Sequence, residues 1–385
     1  MARPASQYNI FFESMRGIAA FMVLMAHMCP FGFGTVPLAI SQVGVLGVNI
    51  FFTLSGFLIA RCVLGPSSFS GSVYLRSRSY RILPSYFICM IFALLVADAR
   101  PLMHDSAWGQ LGNLLSHITL THGWFDKYHV SIVGPFWTLS HEWWFYIFML
   151  AAAGLIRSGR WGWVVAGMIV VAFVSRLGQA ERWWSLDPKL LHPLCLLDQF
   201  AFGIAAAALA GRYGQGWADR RWVVPVLLVA GLGLTSWWIY SYYHLVSGIN
   251  PLKYHGIMFG ERVRELLFKS RSHVLWFGPG LAAGLAMLLT ALWLMPRSWG
   301  NWLRFTPLPG MGKVSYSTYL WHAPLLLCLM RGVRNMPPES PWSEPWPRFW
   351  LAFAIIYGFS AFAYQFFELP WLRSQRGTAS GAAAP

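Results

Sequence analysis

Stretches of about twenty predominantly apolar residues recur ten times along this chain, which is the length a helix needs to cross a bilayer. They fall near 9–28, 43–63, 82–99, 136–156, 161–177, 191–210, 222–241, 274–295, 313–332 and 347–367. Backbone inside lipid has no water to bond, so runs of this length predict helices. The expected fold is all-α, a polytopic transmembrane helix bundle of about ten spans. Segment 109–122 is too short and too polar to cross and reads as an interfacial or re-entrant helix. Residues 1–372 are expected to form one membrane domain, and 373–385, ending in TASGAAAP, a disordered tail.

Composition removes the main alternatives. Only 11% of the 385 residues are charged while 56% are hydrophobic, and the mean hydropathy is +0.48. A soluble domain carries about 25% charged residues, so nearly the whole chain belongs to the membrane. The net charge of +15 could point to nucleic acid. In a polytopic chain, however, basic residues chiefly set orientation, and no nucleic-acid partner is expected. The short loops 61–81 and 211–221 are basic, which puts them and both termini on the cytoplasmic side. Cys29, Cys62, Cys89, Cys195 and Cys328 show no paired spacing, so neither a disulfide framework nor a metal site is expected. The first apolar run contains Arg16, and no small-residue cleavage site follows it. It is expected to remain as the first span.

The informative residues are the polar ones that lipid should exclude. The first run, FESMRGIAAFMVLMAH, carries Arg16 and His27, separated by roughly 16 Å of helix axis. A charge inside a span costs about 2.5–3.5 kcal/mol and calls for a partner or a role. With the topology set, His27, Asn49, Glu142 and Asp198 fall at comparable depth in the outer layer of the bundle. A histidine beside a carboxylate in a desolvated site can act as a general base, the carboxylate fixing its tautomer and stabilising the imidazolium. A structural contact tying helices together is the other reading. His141 competes with Glu142, but adjacent helical residues point about 100° apart. On the opposite side, RSRSYRILPSY brings Arg76, Arg78 and Arg81 to the start of the third span, with Arg16 approaching from the first. Gathered arginines suit a phosphate-bearing ligand, or simply anchor the span. The ninth run, KVSYSTYLWHAPLLL, sets His322 near mid-depth with Ser315, Ser317 and Tyr319 below it. The long outer loops at 100–135, 242–273 and 333–346 are rich in aromatics that can line a sugar pocket or form an interfacial belt.

Together these segments resemble the membrane acyltransferase type 3 family. ESMRGIAAFMVLMAH is similar to its first-helix signature and GVNIFFTLSGFLI to its second-helix run, with Asn49 where Asp is common. RSYRILPSYF resembles the arginine-rich entry to the third helix, FWTLSHEWWFY the stretch carrying a functional Glu, and VSYSTYLWHAPLL the late Ser-Tyr-Leu-Trp-His run. The resemblance implies a bacterial inner-membrane, multi-pass O-acyltransferase. It would move an acyl group, most often acetyl, from cytoplasmic acetyl-CoA to a hydroxyl of an extracytoplasmic carbohydrate. Acetyl-CoA would serve as co-substrate, with no metal. His27 and Glu142 would be catalytic, and Arg16, Arg78 and Arg81 would hold the donor phosphates. Asn49, Trp137, Tyr319 and His322 are the candidate substrate or oxyanion contacts. The partners implied are an acyl-CoA donor, a carbohydrate acceptor and the bilayer, and a homo-oligomer is compatible with all of this. Two rivals stay open: a glycolipid or acyl-sugar transporter or flippase, and an acylase of a small-molecule acceptor.

Overall fold

The computed structural model describes residues 9–28, 43–44, 46–65, 69–96, 106–125, 127–181, 192–247, 270–334 and 345–374. Twelve helices follow in order: α1 (Ile10–Met28), α2 (Gly47–Val63), α3 (Gly71–Val96), α4 (Ala107–Ile118), α5 (Trp137–Leu155), α6 (Trp161–Ala180), α7 (Leu197–Ala218), α8 (Val223–Val246), α9 (Arg271–Leu294), α10 (Leu308–Lys313), α11 (Ser315–Arg334) and α12 (Pro345–Ala363). Each expected span coincides with a helix. Among the described residues, seven segments are long and apolar enough to cross a membrane, Gly134–Ala180 among them holding both α5 and α6, while Gly47–Val63 is apolar but shorter. The chain is an all-α polytopic bundle. Its expected tail lies largely outside the described residues, as do Cys29 and much of the long loops 242–273 and 333–346.

The third helix departs from expectation. It begins at Gly71 rather than near residue 82, so Arg76, Arg78 and Arg81 lie within it and not ahead of it. Apolar periodicity could not show this, because SVYLRSRSYR keeps only one narrow face for packing: Tyr74 is buried while Arg76 is exposed. The Tyr74 hydroxyl donates to the carbonyl of Tyr146, 3.2 Å away, which ties this polar stretch to α5.

The chain divides into two compact units. The first comprises Met1–Ala26, Leu38–Phe69 and Ala151–Lys313. Within it α7 packs along α2, α6 and α9, and α9 packs along α8. Without a hydrophobic drive between helices in lipid, small residues set how closely they approach. Gly56 and Gly203 meet where α2 crosses α7: a Cβ on Gly56 would strike the Phe200 carbonyl, and one on Gly203 the Thr53 carbonyl. Phe57, Phe200 and Ile204 fill the seam on either side.

The second unit comprises His27–Pro37, Ser70–Leu150 and Val314–Pro385. Here α11 packs against α12 and α3. Trp321 is buried between Phe92 and Phe359, with ring centroids 5.2 and 4.8 Å away. Pro324 has no N–H to give the Leu320 carbonyl. The Cys89 thiol donates to that oxygen from α3 at 3.4 Å. Each unit therefore solves the same problem, burying helix faces in a medium where polar backbone must be answered locally.

Candidate functional site

The sequence-predicted residues divide between the units. Arg16 and Asn49 belong to the first; His27, Arg78, Arg81, Trp137, Glu142, Tyr319 and His322 belong to the second. Arg16 is half-buried on α1 and lies 3.9 Å from Glu13, one turn back. Asn49 sits in the first turn of α2, where its carbonyl accepts from the Thr53 hydroxyl at 2.9 Å. Asp198 is also in the first unit, completely buried, with Arg176 Nη2 donating to its Oδ2 at 2.6 Å. Arg176, at the end of the expected span 161–177, is thus the internal partner of Asp198.

Two imidazoles form the centre of the second unit's polar cluster. The rings of His27 and His322 stand edge to face with centroids 4.7 Å apart. His27 is exposed, whereas His322 is 1% exposed. The position of His322 is set by its own helix: Nδ1–H donates back to the Tyr319 carbonyl at 2.7 Å and to Thr318 at 3.2 Å. That bond leaves Nε2 as the lone-pair nitrogen, and it has no hydrogen-bond partner among the described residues. One turn back, the Tyr319 hydroxyl donates to the Pro135 carbonyl at 3.0 Å and accepts from the Thr138 hydroxyl at 2.6 Å. Tyr319 thus joins the histidine helix to the first turn of α5.

Glu142 lies one turn further along α5, and Tyr146 donates to its Oε1 at 2.5 Å. His141 faces another way, as the 100° step requires. It is buried, donates through Nδ1 to the Trp137 carbonyl at 2.7 Å, and packs edge-on against Trp137 and His129. Trp137 stacks on His129 with centroids 5.5 Å apart.

The arginines of α3 differ in their commitments. Arg81 Nη1 is 2.9 Å from Oε1 of Glu368, whose side chain is fully buried, and Ser317 donates to Oε2 at 3.0 Å. Arg78 lies over the Tyr146 ring at 5.9 Å and donates to the Ser77 hydroxyl at 3.0 Å, while its buried Nε has no hydrogen-bond partner among the described residues. Of the two, Arg78 retains donor capacity that an anion can use.

Sequence reasoning passed over three features. Glu368 reads as a cytoplasmic loop acid, although FFELP encloses it in apolar residues, and that enclosure was the available signal. Thr138 gave no signal beyond its place in FWTLS. The third is the burial of His117 and His122 at the end of the expected short helix 109–122: the Tyr86 hydroxyl on α3 donates to the His117 carbonyl at 3.1 Å, and the Tyr86 ring packs on Phe136. His117 and His122 stack in parallel with centroids 4.0 Å apart. Each donates one ring N–H to a carbonyl, His117 to Asn113 at 3.0 Å and His122 to Phe136 at 3.0 Å. Burial and the mutual proximity of the rings lower the His117 pKa to about 3, and burial lowers that of His122 to about 4. The turn is closed by Leu120 at φ 52°, a left-handed conformation uncommon for a branched side chain. Its carbonyl accepts from Ser140 at 2.6 Å and from the Trp144 indole at 3.0 Å.

A family model described as an acyltransferase domain matches residues 9–365. The chain belongs to the acyltransferase type 3 family. It is an integral membrane O-acyltransferase of the multi-pass type. It is 26% identical over 325 residues to a protein of Komagataeibacter xylinus named as a membrane-bound transacylase, BcsY, covering 81% of this chain and 71% of that protein. It is 25% identical over 247 residues to the O-acetyl transferase of Shigella phage Sf6, covering 60% of this chain and 69% of the phage protein. Similarity to the peptidoglycan O-acetyltransferase OatA of Listeria monocytogenes is 23% over 399 residues, covering 96% of this chain but 56% of OatA. No solved structure matches the chain.

Proposed function

We propose that this acyltransferase moves an acetyl group from acetyl-CoA, bound on the cytoplasmic side, to a hydroxyl of an extracytoplasmic sugar in a cell-surface or exported polysaccharide of a bacterium. The observation that carries this reading is the exposed His27 ring held against the buried His322 ring at 4.7 Å. The naming of the relatives as O-acetyltransferases supports acetyl as the group. The acceptor class and the side of the donor rest on the sequence motifs and on the basic short loops.

The donor supplies a thioester carbonyl and a thiolate leaving group. A ring nitrogen of His27 takes the proton from the acceptor hydroxyl as the oxygen attacks that carbonyl. The carbon–sulfur bond then breaks, and the thiolate recovers the proton from the imidazolium. His322 braces the His27 ring, and its own Nδ1–H bond to Tyr319 keeps Nε2 as the basic nitrogen. Glu142 acts by field, stabilising positive charge that develops on the imidazole pair. Arg78 contacts donor phosphate through its unsatisfied Nε, and Arg81, neutralised by Glu368, positions the same stretch of α3. Arg16 is assigned a donor-phosphate contact. Asn49, Trp137 and Tyr319 are assigned contacts to substrate or the developing oxyanion.

The test is His27→Ala in the full chain, purified in detergent and supplied with acetyl-CoA and a polysaccharide acceptor. General-base loss should lower CoA release by about 100-fold or more while leaving membrane insertion intact. Wild-type CoA release in that variant overturns the assignment.

A further inference from the structure

A second concentration of arginine lies wholly within the first unit. A cavity of about 260 Å³ opens where the C-terminus of α2, the turn from α5 to α6 and the later part of α7 meet, and Arg61, Arg157 and Arg212 line it. Among the described residues, no carboxylate lines it. Three like charges converging on one concave space repel one another, and in a partly desolvated setting that repulsion is relieved by a bound anion.

The three arginines are arranged for different tasks. Arg157 Nη1 donates to the carbonyls of Val63 and Gly65 at 2.8 and 3.4 Å, so it closes the end of α2 and forms the floor. The Arg61 guanidinium lies 4.7 Å from the Trp293 ring centroid, a cation–π contact that fixes its plane without consuming its N–H donors. Arg212 is exposed on α7. Glycine keeps the space open: a Cβ on Gly211 would stand 3.0 Å from Arg61 Nη1. The wall turn depends on Gly159 at φ 83°, a left-handed conformation that favours glycine. Trp161 completes the wall. The ends of membrane-spanning helices meet the layer of lipid phosphates, and the end of α2 forms part of this cavity.

We propose that this cavity is a phosphate-binding site, with Arg61 and Arg212 as the ligating side chains and Arg157 as their support. Planar guanidinium groups match phosphate oxygens in forked, charge-assisted pairs. The same chemistry is offered by an anionic phospholipid headgroup and by a soluble phosphate ester, and experiment separates the two.

The full chain in detergent is compared with the Arg61→Gln/Arg212→Gln double variant and with Gly211→Leu, which fills the cavity and keeps its charge. Retention of phosphatidylglycerol and of phosphatidylcholine is read by native mass spectrometry, and pyrophosphate binding by calorimetry. Both variants are expected to weaken one anionic probe by about tenfold or more. Loss confined to phosphatidylglycerol assigns a lipid headgroup, and loss confined to pyrophosphate assigns a soluble ester. Unchanged binding of both anions, or equal loss of the zwitterionic lipid, overturns the proposal and leaves the arginines as membrane anchors. If the double variant fails to fold, Gly211→Leu alone decides.

Discussion

His322 stands edge-on to His27, and the bond from its Nδ1 to the Tyr319 carbonyl fixes which nitrogen it turns toward the cluster. An asparagine at 322 can reproduce that N–H donor, while alanine cannot. His322→Ala is therefore expected to lower kcat by about tenfold to a hundredfold with little change in KM. His322→Asn should retain more activity than the alanine variant. Steady-state kinetics of both variants checks this, and equal loss in the two would show that the Nδ1 bond has no positioning role.

The Arg81–Glu368 pair is asymmetric in burial: 21% of the Arg81 side chain is exposed and none of Glu368. Removing the arginine strands a buried carboxylate, which costs about 3–5 kcal/mol for a fully buried pair and less here because one partner meets solvent. Arg81→Ala should thus lower the melting temperature more than the Arg81→Ala/Glu368→Leu double variant does. Thermal melts of the detergent-solubilised chain give the comparison.

The stacked pair His117 and His122 makes stability depend on pH with a definite sign. Both folded pKa values, about 3 and about 4, lie below the ordinary histidine value of 6.5. The unfolded chain therefore binds more protons below pH 6.5, and stability present at neutral pH is lost as pH falls toward the folded values. The loss at pH 5.5 is up to about 1.4 kcal/mol per histidine. Melting curves from pH 7.5 to 5 should shift downward in the wild type and less in His117→Gln. Parallel curves for the two would refute the account.

The crossing of α2 and α7 allows no side chain at residue 203, since a Cβ there meets the Thr53 carbonyl and cannot be relieved by a rotamer change. Gly203→Ala should destabilise by about 1–3 kcal/mol. Gly233, whose added Cβ would meet nothing within 4 Å, should accept alanine with no loss. Melting temperatures of the two variants provide the test.

Helix positions were legible because apolar runs near twenty residues have few other solutions in lipid. Where legibility failed, polarity had been read as exposure. Glu368 looks like a loop charge, yet it is the buried half of an ion pair with Arg81, far away in sequence, and Arg176, inside the expected span 161–177, pairs with the buried Asp198. The polar opening of α3 hid eleven helical residues for the same reason. His27 and His322 were each recognisable as residues lipid should exclude. Their contact was not, because depth estimates counted along separate helices do not fix which rings meet. His117 and His122 escaped notice because a short helix followed by a loop carries no periodic signal of burial.

Leu120 gives the His117–Phe136 segment a further significance. Its carbonyl is the single point on which Ser140 and Trp144, two residues of the same helix as Glu142, both converge. Displacing this turn would surrender both bonds, leaving the buried Ser140 hydroxyl unanswered at about 1–3 kcal/mol and the half-buried Trp144 indole at less. The turn at Leu120 and the first half of α5, Glu142 included, are therefore one mechanical piece.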